Sequence, residues 1–166
     1  MKIGSLRFLI AIAVCMIDPA AEAADISPVG TWSVKNFSQQ ILDTNETVHP
    51  YGDNPVAGYI QYSPGGYMVV FLSVGNPKKP ASFPFTDAER AEIHKGIFGA
   101  YAGRYSVEGN KVTHHIEVSW RPDWIGDNQV RYIEINGSNL TIKTAPLIFS
   151  QTGKQVVNIL TFERVD

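Results

Sequence analysis

The chain has 166 residues, a formal net charge of −2 and one cysteine. That length suits one domain with its own core, and the near-neutral charge excludes a basic field for nucleic acid or acidic lipid. The lone Cys15 lies in the leader, so the rest of the chain has neither a disulfide framework nor thiol chemistry.

Met1, Lys2 and Arg7 make a basic start, Phe8 to Ile17 a short apolar run, and Ala21-Glu22-Ala23 a small-x-small cleavage pattern. The run is too short to span a bilayer. Residues 1–23 therefore read as an export signal, with a mature protein that begins near Ala24 or Asp25 and ends up in a periplasm or outside the cell. Lipoprotein processing at Cys15 is the rival reading, and the branched Val14 before it fits that poorly. The sequons at Asn36, Asn45, Asn136 and Asn139 are uninformative without knowledge of the host.

Residues 24–166 carry runs of Val, Ile, Thr, Tyr and Phe separated by Gly, Pro and Asn. Strands are expected near 31–37, 57–62, 67–74, 101–108, 111–119, 129–135, 140–145 and 155–163. About eight strands is the number at which a small barrel closes and still holds a ligand. Ser63-Pro64-Gly65-Gly66 is a turn between the second and third of these. Thr86-Asp87-Ala88-Glu89 is a capping box, which places one short helix between the third and fourth strands, over a barrel end or as a lid. Gly109-Asn110 reads as a two-residue turn that sets Val107 opposite Val112 and Tyr105 opposite His114. Asn136-Gly137, as a second such turn, sets Ile135 opposite Ser138, Ile133 opposite Leu140 and Arg131 opposite Ile142.

Gly30-Thr31-Trp32 enters the first strand, and Phe162-Glu163-Arg164 leaves the last. Between them stand Ala102-Gly103-Arg104-Tyr105, Val112-Thr113-His114-His115, Ser119, Pro122, Trp124, Gly126, Gln129, Arg131 and Gly137-Ser138-Asn139-Leu140-Thr141. In this order the motifs resemble the lipocalin-like domain family of bacterial and fungal proteins, over nearly the whole of residues 24–166. The resemblance implies an all-β, closed antiparallel barrel of the calycin type with an apolar pocket. It also implies that Gly30, Trp32 and Arg164 close the barrel, with the guanidinium lying across the indole. The chain departs from better-known lipocalins in the position of its helix and in lacking a clear match to their middle loop motif. Their ligand classes are therefore not carried over.

His114 and His115 are adjacent in a strand and point to opposite faces, so they cannot share a metal. Taking the face of Val112, Ile116 and Val118 as inward puts His114 inside, opposite Tyr105, as a hydrogen-bonded core histidine or a pocket group. Arg131 shares a face with Gln129, Ile133 and Ile135. It is either solvated at a rim or inward and in need of a carboxylate, a carbonyl or an anionic ligand head. Tyr59, Tyr62 and Tyr67 flank the first tight hairpin, Trp120 to Trp124 form an aromatic loop, and His49-Pro50-Tyr51 lie in a long polar stretch. Tyr59, Tyr105, His114, Trp120 and Arg131 are the candidate ligand contacts. No metal-ligand spacing, nucleophile elbow, phosphate loop or nucleotide fingerprint occurs, so no cofactor is expected. The expected function is binding of a small apolar or amphipathic molecule. A cofactor-free isomerase or cyclase using the same cavity, and a filled barrel serving as a protein-interaction module, are the alternatives.

Overall fold

The computed structural model describes residues 26–52, 55–75, 78–81, 83–149 and 152–166. The expected export signal, residues 1–23, lies outside the described residues. No helix among the described residues is long and apolar enough to cross a membrane.

The strands are β1 (Gly30–Ile41), β2 (Thr47–Val48), β3 (Val56–Tyr62), β4 (Tyr67–Val74), β5 (Ile97–Glu108), β6 (Lys111–Ser119), β7 (Asn128–Asn136), β8 (Asn139–Thr144), β9 (Leu147–Ile148) and β10 (Gln155–Arg164). Each long strand pairs antiparallel with the next, and β1 pairs with β10, so β1, β3 to β8 and β10 form a closed eight-stranded barrel. The two-residue β2 and β9 hang on its edges. Helix α1 (Asp87–Lys95) lies between β4 and β5 rather than between the third and fourth strands. Leu42 to Glu46 turns the chain back so that Thr47–Val48 pairs with β1, and this short strand, invisible to a pattern that needs several residues, shifts the count. The capping box is present as expected: Thr86 Oγ1 accepts from the Glu89 N–H, and Glu89 accepts from the Thr86 N–H. No residue of α1 is buried.

At the barrel's closed end, Trp32 is fully buried opposite Arg164, whose guanidinium lies 4.1 Å from the indole centroid. The indole N–H donates to the Pro28 carbonyl at 2.8 Å, so the Trp buries a large apolar area without an orphaned donor. Gly30, at φ +137°, makes the room: a Cβ there would stand 2.1 Å from Arg164 Nη1. Asp166 completes the clamp, accepting from the Thr31 N–H at 2.9 Å and lying 3.3 Å from Arg164 Nη1. Above this floor Tyr62, Met68, Val112, Ile133, Leu140 and Phe162 fill the lower half of the barrel.

The Gly109-Asn110 hairpin has the expected register, Val107 with Val112 and Tyr105 with His114. The Asn136-Gly137 hairpin does not. Its turn residues are Gly137 and Ser138, so Asn136 pairs with Asn139, Ile135 with Leu140, Ile133 with Ile142 and Arg131 with Thr144. Gly137 has φ +60° and Ser138 is not among the positive-φ residues, so the glycine takes the first central position of a type II′ turn. The expected register takes Asn136 and Gly137 as the two turn residues, one position earlier than the turn that forms.

Trp32→Ala is expected to destabilise the barrel by about 3–5 kcal/mol, as for large core truncations. That lowers the midpoint of thermal unfolding by roughly 6–20 °C for a domain of this size. Differential scanning calorimetry reads this directly, and an unchanged midpoint would show that Trp32 is not the buried plug.

Candidate functional site

The upper half of the barrel is hollow. A cavity of about 790 Å³ opens between α1, the loop around Pro122–Trp124 and the segment Ala145 to Phe149, within the range of small-molecule sites. One wall is an aromatic cluster of Phe37, Tyr51 and Phe98, with ring centroids 5.2–5.5 Å apart. The other is Trp120 and Trp124, with the His94 ring of α1 tilted 53° against Trp120 at 4.3 Å between centroids and Arg121 lying 4.8 Å from the Trp124 centroid. Trp120 Nε1 is buried with no hydrogen-bond partner among the described residues.

Two β-bulges decide which polar groups reach the interior. In β1 the register shifts between Val34 and Asn36, so inward positions change from Trp32 and Val34 to Phe37, Gln39 and Ile41. Between β5 and β6 a second shift leaves Val112, His114 and Ile116 inward but turns Val118 out, 60 % exposed. Val118 thus does not share the face of His114 as the strict alternation had it.

His114 is buried, and both ring nitrogens are engaged: Nε2 with the Tyr62 hydroxyl at 2.8 Å and Nδ1 with the Tyr101 hydroxyl at 3.0 Å. The expected partner, Tyr105, lies opposite it in the ladder, but its hydroxyl donates to the Ser63 carbonyl at 2.8 Å while its ring packs edge-on against Tyr62. Tyr101, on the same inward face, reaches the imidazole instead. Desolvation, reinforced by the nearby Arg131 and His115 charges, holds the His114 pKa well below its usual value, so the ring is neutral. Burial likewise pushes the Tyr62 hydroxyl well above its usual value, with Tyr101 adding to it.

A neutral imidazole has one donor and one acceptor. Tyr62 has His114 as its sole hydroxyl partner among the described residues and is 1 % exposed, so leaving its proton unshared is the costlier choice. Tyr62 therefore donates to Nε2, and Nδ1–H donates to Tyr101, an assignment made from the network. With neither ring nitrogen free, His114 has no open position from which to take a substrate proton.

Arg131 carries the network to the cavity. Its Nη2 donates to Gln129 Oε1 and, at 3.5 Å, to the Tyr101 hydroxyl, and Nη1 donates to the Val130 carbonyl at 3.0 Å. Among the described residues no carboxylate pairs with it, although it lines the cavity. Of the candidate contacts, the structure brings Arg131 and Trp120 into the cavity wall and sets His114 one residue behind Arg131. Tyr105 lies below, at the packed end, outside that wall. Tyr59 does not belong to the site: it is 55 % exposed on the outer face, paired across the strands with the equally exposed Phe71, because in β3 it is Ile60 and Tyr62 that point inward. His115 faces outward, bonded to Ser106 and Asn128. Tyr101, Gln39, Thr144 and Asn158 were not among the candidates; Tyr101, Thr144 and Asn158 lie in expected strands, whereas Gln39 falls beyond the expected end of the first. No group of three metal-ligating side chains occurs among the described residues.

The lipocalin-like domain model matches residues 29–165. The chain belongs to the lipocalin-like domain family. The chain is similar to the 4'-hydroxy-3'-methoxypropiophenone carrier protein ppsC of Aspergillus oryzae, 33 % identical over 89 residues, covering 48 % of this chain and 78 % of that protein. Among solved structures the chain is similar to a point mutant of the fluorescent protein UnaG, with a TM-score of 0.36 and 15 % identity, covering 83 % of this chain and 96 % of that one. That likeness is too loose to inform the site of this lipocalin-like barrel.

The buried neutral His114 ties stability to pH. Its folded pKa is depressed, so below the unfolded value near 6.5 the unfolded chain binds the extra proton. The contribution is complete above about pH 6.5 and is lost as pH falls towards the folded pKa, at up to about 1.4 kcal/mol per pH unit. Urea unfolding at pH 7.5 and 5.5 should show this loss in the native chain and not in His114→Gln; equal losses in both would refute the buried, neutral assignment.

Proposed function

We propose that this protein is an exported carrier that holds a small amphipathic molecule in the upper half of its barrel, with an anionic or carbonyl head at Arg131. The observation that carries the reading is a guanidinium in a cavity wall without a carboxylate partner. A half-buried cation is costly unless something compensates it, and a ligand carboxylate or carbonyl supplies that compensation through charge-assisted hydrogen bonds. The aromatic walls supply the apolar contact, at roughly 25 cal/mol per Å² buried before the entropic costs of binding. The relative's description as the carrier of an aryl ketone supports a ligand with both an aromatic body and an acceptor. Export rests on the basic start, the apolar run and Ala21-Glu22-Ala23; N-terminal sequencing of the protein from its host should begin near residue 24, and an intact Met1 would overturn it.

Two fluorescent probes test the head-group contact. Anilinonaphthalene sulfonate carries an anion, and N-phenyl-1-naphthylamine has the same aromatic body without it. Both are expected to bind the native chain near pH 7.5. Arg131→Gln should weaken the sulfonate about tenfold or more, the effect of one charged hydrogen-bonding group, and leave the neutral probe within about twofold. Failure of both probes to bind the native chain would overturn the carrier reading.

A further inference from the structure

The cavity holds a second polar locus, far from Arg131 in sequence and built across the barrel seam. Gln39 is 1 % exposed yet lines the cavity. It pairs across the closing strands with Asn158, and its Nε2 donates to Asn158 Oδ1 at 2.9 Å. Its Oε1 has no partner among the described residues. Asn158 in turn donates its backbone N–H to the Oγ1 of buried Thr144 at 3.0 Å, and Thr144 pairs with Arg131. Gln39, Asn158, Thr144 and Arg131 thus form one row, a polar residue on each of β1, β10, β8 and β7, and every member lines the cavity.

The two ends of the row differ in kind. Arg131 can only donate. At the other end Gln39 Oε1 accepts, while the Asn158 amide and the Thr144 hydroxyl keep donor hydrogens that no described partner takes. A group that both donates and accepts is complementary to that end, and a hydroxyl is the smallest one. Buried polar groups left unpaired cost free energy. A barrel serving only an apolar ligand could replace the Gln39–Asn158 side-chain pair with apolar residues at no loss. At 4.5–5.5 Å per strand step the row spans roughly 15 Å of wall, which the reach of the two end side chains reduces to the length of a small aromatic molecule.

We infer that Gln39, Asn158 and Thr144 form a hydroxyl-recognising subsite, so that the ligand is bifunctional: an anionic or carbonyl head at Arg131 and a hydroxyl on the opposite end of an aromatic body. The inference rests on the carrier reading above and adds the ligand's second functional group.

Cinnamate and 4-hydroxycinnamate, which differ only in the distal hydroxyl, test it by titration calorimetry. The native chain should bind the hydroxylated acid at least about fivefold more tightly, the effect of one or two neutral hydrogen bonds. Gln39→Met should bring the two affinities within twofold, and Thr144→Val, a smaller change, should reduce the preference in the same direction. Arg131→Gln should weaken both acids alike. Equal affinities in the native chain, or a preference that survives both Gln39→Met and Thr144→Val, would overturn the subsite. If neither acid binds while the naphthalene probes do, the subsite inference alone fails; if none of the four binds, the carrier reading fails with it.

Discussion

The pairing of β1 with β10 is the constraint on which the rest of this structure depends. It brings residues separated by most of the domain into one ladder, from Trp32 with Arg164 at the floor to Ile41 with Val156 near the mouth. At the floor this closure stacks a guanidinium on an indole, and Gly30 leaves the space for it. Midway up, the same ladder sets Gln39 beside Asn158 inside the cavity. Without closure the two edge strands would expose unpaired backbone groups along their whole length. It follows that the floor and the site are two ends of one seam.

The barrel divides into halves with different physics. The lower half is packed with large apolar side chains around the Trp32 plug, and there the protein gains its stability. The Tyr62–His114–Tyr101 chain lies above that core and is satisfied internally, so it fixes the interior without offering a reactive nitrogen. Above it stand Arg131 and the amide–hydroxyl row, with donors and acceptors that the chain does not satisfy by itself. Such groups weaken a fold unless a ligand compensates them, which is the usual cost of a binding site. Helix α1, with nothing buried, lies at the mouth through the tilted His94–Trp120 ring contact rather than through a packed interface.

What the sequence made legible was the part governed by local chemistry. Gly30-Thr31-Trp32 and Arg164, the strand runs, the capping box at Thr86 and the Gly109-Asn110 turn all carry their meaning within a few residues or within a familiar motif order. Arg131 and Trp120 emerged because a charged or aromatic residue in a strand or loop of a barrel invites the question of what it faces. Gln39 was invisible because a bulge changes the inward parity of β1 just before it, and strict alternation has no term for an inserted residue. The same blindness placed Val118 inside. Tyr59 was misjudged because a tyrosine beside a hairpin reads alike on either face. Register names Tyr105 as the residue opposite His114, whereas a long aromatic side chain further along the same strand, Tyr101, is the one that reaches the ring.

A ligand that enters the upper half of the barrel leaves the floor sealed, and the three tryptophans are placed to report it. Trp120 and Trp124 line the cavity, and Trp32 donates its indole N–H to Pro28 at the far end. We would record the indole N–H resonances of the nitrogen-15-labelled protein while adding anilinonaphthalene sulfonate. The Trp120 and Trp124 signals should shift together and saturate while that of Trp32 stays in place. Movement of Trp32 alone, or no movement of any of the three up to millimolar probe, would contradict it.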